Sequence, residues 1–172
     1  MTKNTAKWSK FHKFQEKPGW CGPAVIQMAL LSVGIKKKQK DIAREVHKDW
    51  WGTTQQIMLA YFSRFFKIVN YKHNATFKDV SLHLKMGHIV ILNWWDDIDE
   101  EDTGGGHYSV AVDYDHKLRA LTLADPSTTR PGIWTIADPE FNKKWFDTLD
   151  MHDRTWIDGW MLWIDPASKI TE

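Results

Sequence analysis

The chain has 172 residues, and its 23 Lys and Arg against 22 Asp and Glu leave a formal net charge of +1. That length suits one substantial core and is short for two, and the near balance of charge gives no general electrostatic case for nucleic acid or an anionic membrane. The Lys-dotted stretch 1–13 has no apolar core of the signal-peptide kind, no run approaches the about 18 apolar residues of a membrane span, and the single cysteine cannot close an internal disulfide. The expectation is therefore one domain over residues 1–172 with its core from about 12 to 165. It has no membrane span and sits in a reducing, cytoplasmic setting, with export by another route left open.

Taken in chain order, the first helix is predicted from about 22 to 33. Pro23 suits a first helical position, Val25, Ile26, Met28, Ala29 and Leu30 carry the apolar pattern, and Gly34 closes it. A short amphipathic helix follows from Gln39 to His47 with Ile42, Ala43 and Val46 on one side. Thr53 or Thr54 caps a third helix to about Phe66. Lys67 to Lys72 reads as a strand, and Thr76 opens a fourth helix carrying Phe77, Val80, Leu82 and Leu84 that stops at Gly87.

From His88 the pattern turns to strands: His88 to Trp95, His107 to Tyr114, Leu118 to Ala124 and Gly132 to Ile136, with a hairpin connection over Asp113 to Lys117. A final short helix near Pro139 to Phe146 precedes a last strand at Trp160 to Ile164. Helices in one half and strands in the other predict an α+β fold, with N-terminal helices packed on a C-terminal antiparallel sheet. Of the 11 Trp, the pairs Trp50-Trp51 and Trp94-Trp95 cannot both point inward if extended, because neighbouring strand side chains take opposite faces.

The one cysteine, Cys21, stands at the mouth of the first helix. There the positive end of the helix dipole and the unpaired backbone N–H groups favour thiolate over thiol. A thiol nucleophile needs a base and a group to orient it. His107 opens one β-rich run after Gly104-Gly105-Gly106, and Asp125 closes the next, before Pro126.

These pieces resemble papain-like cysteine peptidases, and more closely the compact double-glycine leader peptidases that trim bacteriocin precursors. The resemblance rests on Gln15 six positions before Cys21-Gly22-Pro23-Ala24, on Gly106-His107-Tyr108 and on Ala124-Asp125-Pro126, in that order. The interval from Cys21 to His107 falls short of the about 130 to 150 residues of papain proper, which favours the compact relatives. The resemblance implies Cys21 as nucleophile, His107 as general base and then acid, and Asp125 as the residue that orients His107. Gln15 would join the backbone N–H of Cys21 in an oxyanion hole. It implies a peptide or protein substrate, a thioester intermediate and no cofactor. Leader peptidases are commonly fused to a membrane transporter and this sequence shows no such segment, so leader processing itself is not carried over.

Two alternatives stay open at this point: a noncatalytic peptide-binding module on the same fold, and an acyl or peptidyl transferase using the same thioester. The other histidines, His12, His47, His73, His83, His88, His116 and His152, lack metal-ligand spacing and read as surface or structural groups. The run Asp96 to Asp102 fails the calcium-loop pattern because Asp102 stands where the sharp turn needs Gly. It reads as a solvated acidic loop, or as a flap leading through the triple glycine to His107 and favouring cationic substrates.

Overall fold

The computed structural model describes residues 2–96, 105–149 and 155–170. Its first element, α1 (Lys3–Phe11), was not foreseen: the stretch is Lys-rich, but Thr2 Oγ1 caps it by accepting from the Thr5 N–H at 3.2 Å, and Trp8 is buried in the core. Next come α2 (Cys21–Ser32), α3 (Gln39–Val46) and α4 (Gln55–Phe62). The start of α2 differs from expectation, since Cys21 is its first residue and Pro23 its third. Proline is still tolerated there, because first-turn N–H groups have no acceptor within the helix. At the other end Gly34 adopts φ +83°, its N–H bonds Leu31 O at 3.0 Å, and the Ile35 N–H bonds Leu30 O at 2.9 Å. This paired closure satisfies the last carbonyls, and the left-handed residue is the one that needs glycine.

Helix α4 is capped by Thr54, whose Oγ1 accepts from the Ile57 N–H at 3.2 Å. It ends at Phe62 rather than near Phe66: the chain tightens into turns, with the Arg64 N–H bonding Tyr61 O and the Phe65 N–H bonding Phe62 O, before Phe65 O and the Lys67 N–H bond to the C-terminal segment at Ile170 and Ser168. Helix α5 (Phe77–Lys85) opens with a reciprocal capping box between Thr76 and Asp79. Val80 and Ser81 are its buried face, whereas Leu82, expected on the apolar stripe, is exposed.

Six strands form one antiparallel sheet in the order β1-β8-β2-β3-β4-β5. They are β1 (Val69–Lys72), β2 (Ile89–Asp96), β3 (Gly105–Asp115), β4 (Ala120–Ala124), β5 (Ile133–Ala137) and β8 (Trp160–Ile164). Ile89 and Ile91 pack with α1 to α4, while Val90, Leu92 and Trp94 join α5 and α6 (Asp138–Asn142) on the opposite face. A strand covered on both faces reads as a continuous apolar run, as β2 does. The fold is α+β, with helices α1 to α4 packed on one face of the sheet, as the resemblance to papain-like peptidases implies.

The predicted helix to Phe146 is shorter and is followed by a small separate ladder of β6 (Phe146–Thr148) with β7 (Trp156–Asp158). The expected hairpin over 113–117 also shifts. Strand β3 continues to Asp115, whose Oδ1 accepts from the N–H groups of Lys117 and Leu118 in the turn. Of the Trp pairs, Trp94 is fully buried and Trp95 partly exposed, as strand alternation requires; Trp50, in a turn, is exposed.

Gly159, between β7 and β8, has φ +58°, and a Cβ there would lie 2.7 Å from Ala75 N and 2.8 Å from Ala75 O. Backbone cannot step aside as a side-chain tip can. Gly159→Ala should therefore cost about 2–4 kcal/mol, combining left-handed strain with overpacking. Thermal unfolding should show it as a fall in Tm of about 5–15 °C for a chain of this size.

Candidate active site

Cys21 begins α2 and is buried, with Gly22 directly behind it. A Cβ on Gly22 would fall 2.4 Å from Thr53 Oγ1, so only glycine lets the loop before α4 close over the start of α2. Tyr108 braces the same wall, its hydroxyl donating to Thr53 O at 2.9 Å. The result is a cleft of about 580 Å³ lined by Cys21, His107 and Gln15, with Trp95 and Trp156 farther along.

Adjacent antiparallel strands bring His107 and Asp125 to the same side of the sheet. His107 lies near the start of β3 and Asp125 just past the end of β4. His107 Nε2 donates to Asp125 Oδ1 at 2.8 Å, which leaves Nδ1 for its hydrogen bond with Cys21. Trp94 and the imidazole meet edge to face, ring centres 5.2 Å apart. Thus three of the sequence-predicted residues, Cys21, His107 and Asp125, meet in one chain of contacts.

Asp125 is fully buried, and its carboxylate accepts more than the imidazole bond. Oδ1 also takes the Ser127 N–H at 2.9 Å, while Oδ2 takes Trp134 Nε1–H at 2.9 Å and Arg130 Nη1–H at 3.1 Å. Its main chain is pinned as well: the Asp125 N–H donates to Gly132 O at 2.7 Å, and His12 Nε2–H donates to Asp125 O at 2.7 Å. Gly132, at φ +85°, leaves room for the His12 ring, which a Cβ would approach to 2.8 Å. His12 is thus structural, as its lack of ligand spacing suggested.

Electrostatics follow from this burial. Desolvation alone would lower the imidazole pKa, but the charge and hydrogen bond of Asp125, followed by those of Cys21, outweigh it and push His107 up to about 10. Burial alone would raise Asp125; the charge and bond of His107, then Arg130 and the Ser127 N–H, bring it down to about 2. His107 is therefore held as imidazolium and Asp125 as carboxylate.

The sign of each shift fixes a stability profile. His107, raised from an ordinary 6.5, contributes fully below that value, and its contribution is lost as pH rises through about 10. Asp125, lowered from an ordinary 3.8, contributes above that value and loses it as pH falls through about 2. The Tm advantage of the wild type over His107→Gln should accordingly be widest between these two ordinary values and narrow on either side. Melting curves across pH would check this, and a gap indifferent to pH would contradict it.

Gln15, the fourth expected residue, lines the cleft beside Cys21, with its backbone N–H donating to Pro126 O at 2.8 Å. The acidic run needs correction at its first member. Asp96 is the last residue of β2, buried, with Oδ2 2.5 Å from Arg130 Nη2, so it is an internal ion-pair partner rather than part of a solvated loop or flap. Asp97 to Asp102 lie outside the described residues. Sequence reasoning missed Arg130, although a lone cation five positions after Asp125 was an available signal. His83 and His88, read as separate structural groups, bond to each other through Nδ1 at 2.8 Å. Among the described residues, no group of three or more His, Cys, Asp or Glu is placed to hold a metal ion, and no helix is long and apolar enough to cross a membrane.

A family model described as "Peptidase_C39 like family" matches residues 6–149. No curated protein sequence matches the chain. Among solved structures, the peptidase domain of Streptococcus ComA, a bi-functional ABC transporter of a quorum-sensing pathway, superposes with a TM-score of 0.66 at 14% identity, covering 89% of this chain and 96% of that one. A C39-like peptidase from Bacillus anthracis gives 0.63 at 12%, covering 90% and 94%. A double glycine motif protease from an AMS/PCAT transporter, in complex with the leader peptide, gives 0.52 at 13%, covering 92% and 89%. At these identities the likeness is one of fold.

Proposed function

The chain belongs to the C39-like peptidase family, and from that premise we propose that it is a thiol hydrolase that cleaves a peptide bond through a Cys21–His107–Asp125 triad. The observation that carries the reading is the unbroken chain of contacts from a helix-opening thiol, through a buried imidazole, to a buried carboxylate. One structural relative holds a leader peptide, which supports a peptide as the substrate class here. A nucleophilic thiol must stay reduced to act, which fits a cytoplasmic setting.

In this reading the Cys21 thiolate, paired with the His107 imidazolium, attacks the scissile carbonyl carbon. The oxygen that becomes anionic is received by the Cys21 backbone N–H, which has no acceptor within the helix, and by the Gln15 side-chain amide. His107 gives its Nδ1 proton to the leaving amine as the C–N bond breaks, leaving a thioester on Cys21. Neutral His107 then takes a proton from water, whose oxygen attacks the thioester and releases the acid. Asp125 keeps Nε2 protonated throughout and so keeps Nδ1 directed at the chemistry.

Alkylation of Cys21 tests the first requirement. Iodoacetamide should label it at pH 6, and His107→Ala should slow that labelling by about tenfold or more, since the imidazolium is what favours thiolate there. A rate that rises only near the about 8.5 of a free thiol, and that ignores His107→Ala, would remove the nucleophile assignment.

A further inference from the structure

The cleft carries a buried carboxylate that the proposed chemistry does not use. Asp147, in the middle of β6, is 8% exposed and lines the cleft beside Gly106. A Cβ on Gly106 would lie 2.0 Å from Asp147 Oδ2, so the absence of a side chain at that position is what admits the carboxylate next to His107. Its hydrogen-bond donors are neutral. The Thr148 N–H donates to Oδ1 at 2.7 Å, and Asn93, itself bonded by Gln55 Nε2–H at 2.7 Å, donates from its side chain. Among the described residues no Lys, Arg or His forms an ion pair with it, and none of the cleft-lining residues is a Lys or Arg.

A carboxylate at the wall of a binding cleft that forms no ion pair within the protein favours a cation from outside, because a buried charge left without an ion-pair partner is disfavoured. Neighbouring groups suit the same guest. Trp95 stacks on Phe146 at 5.8 Å between ring centres, and Trp156, more than half exposed, packs against both. Trp95 and Trp156 line the same cleft as Asp147, and an aromatic face attracts a cation through the ring quadrupole. Burial, only partly opposed by the Thr148 and Asn93 bonds, raises Asp147 to about 6, so it ionises in the neutral range and gains from a cation's approach.

We propose that Asp147 forms a subsite for a positively charged group of the bound peptide, either a basic side chain or a free α-amine, beside the bond to be cut. The proposal rests on the reading of the cleft as a peptide site, and it is tested so that binding is separated from cleavage. Fluorescent Gly-Gly-containing octapeptides, N-acetylated and carrying Lys or the neutral isostere norleucine at each position in turn, are titrated against the Cys21→Ala protein. The norleucine peptide is also compared with and without its acetyl group.

At one position Lys should bind about tenfold more tightly than norleucine, or the free amine more tightly than the acetylated one. Adding Asp147→Asn, or Asp147→Ser should the first variant fail to fold, should abolish that preference while leaving affinity for the neutral peptide unchanged. The first result assigns a side chain and the second an α-amine. Equal affinities throughout, no binding at all, or a preference that survives both substitutions would overturn the subsite. If the wild type cuts none of these peptides while Cys21→Ala still selects the cation through Asp147, the subsite stands and the hydrolase reading falls.

Discussion

Gln15→Ala should lower kcat by about 100- to 1,000-fold, the loss expected when one oxyanion donor is removed, while alkylation of Cys21 and KM stay close to wild type. The expectation depends on how firmly the residue is held. Its own N–H is bonded to Pro126 O, in the loop that carries Asp125, and the next N–H, that of Glu16, donates to Gln39 Oε1 at 2.7 Å. Gln39 is 1% exposed and also donates from Nε2 to Phe14 O and to Gln27 Oε1, each at 3.1 Å. A buried amide thus clamps residues 14 to 16 to α2 and α3, and an oxyanion donor works by being in place before charge develops. Steady-state kinetics on any cleaved peptide, set beside the alkylation rate, separates a donor role from a general disturbance of the cleft. An unchanged kcat would strip Gln15 of it.

Why Cys21, His107 and Asp125 were legible in the sequence, while the groups that hold them were not, has a physical basis. Each of the three stands where an apolar, periodic run meets a turn, so local pattern alone announces it: the start of α2, the glycine-led start of β3 and the proline-ended close of β4. Gln39 looked like no more than the first residue of α3, because its partners at Phe14, Glu16 and Gln27 are distant in sequence. Asp96 read as one more member of an acidic run, although strand alternation turns it inward to Arg130. The ladder of β6 and β7 escaped notice because strands of three residues are too short to display a period of two, and Asp147 was hidden with it. Helix α1 was missed because it buries only one fully enclosed side chain, Trp8, among many lysines.

Arg130→Met should destabilise the fold by about 3–5 kcal/mol, the usual cost of deleting one partner from a buried ion pair. The guanidinium is 7% exposed and bridges two carboxylates, Asp96 at 2.5 Å and Asp125 at 3.1 Å, whose side chains are 5% and 0% exposed. It also lies over Trp94 and Trp134, 5.2 and 5.3 Å from their ring centres, so methionine can replace its packing but not its charge. Without that cation Asp125 is held ionised mainly by His107, and protonation becomes easier. The sign follows: the wild-type advantage is full above the ordinary carboxylate value of 3.8 and is lost as pH falls through about 2. Denaturant melts of both proteins should therefore diverge most near neutrality and converge in acid. The double variant Arg130→Met, Asp96→Asn should lose less than the sum of the single changes, because neutralising Asp96 removes one of the two charges left behind. Labelling of Cys21 at pH 6 should also slow in Arg130→Met, since an Asp125 that protonates or turns no longer fixes the Nε2–H of His107. Strict additivity together with a pH-independent gap would show that Arg130 acts through its packing on Trp94 and Trp134 and not through the two carboxylates.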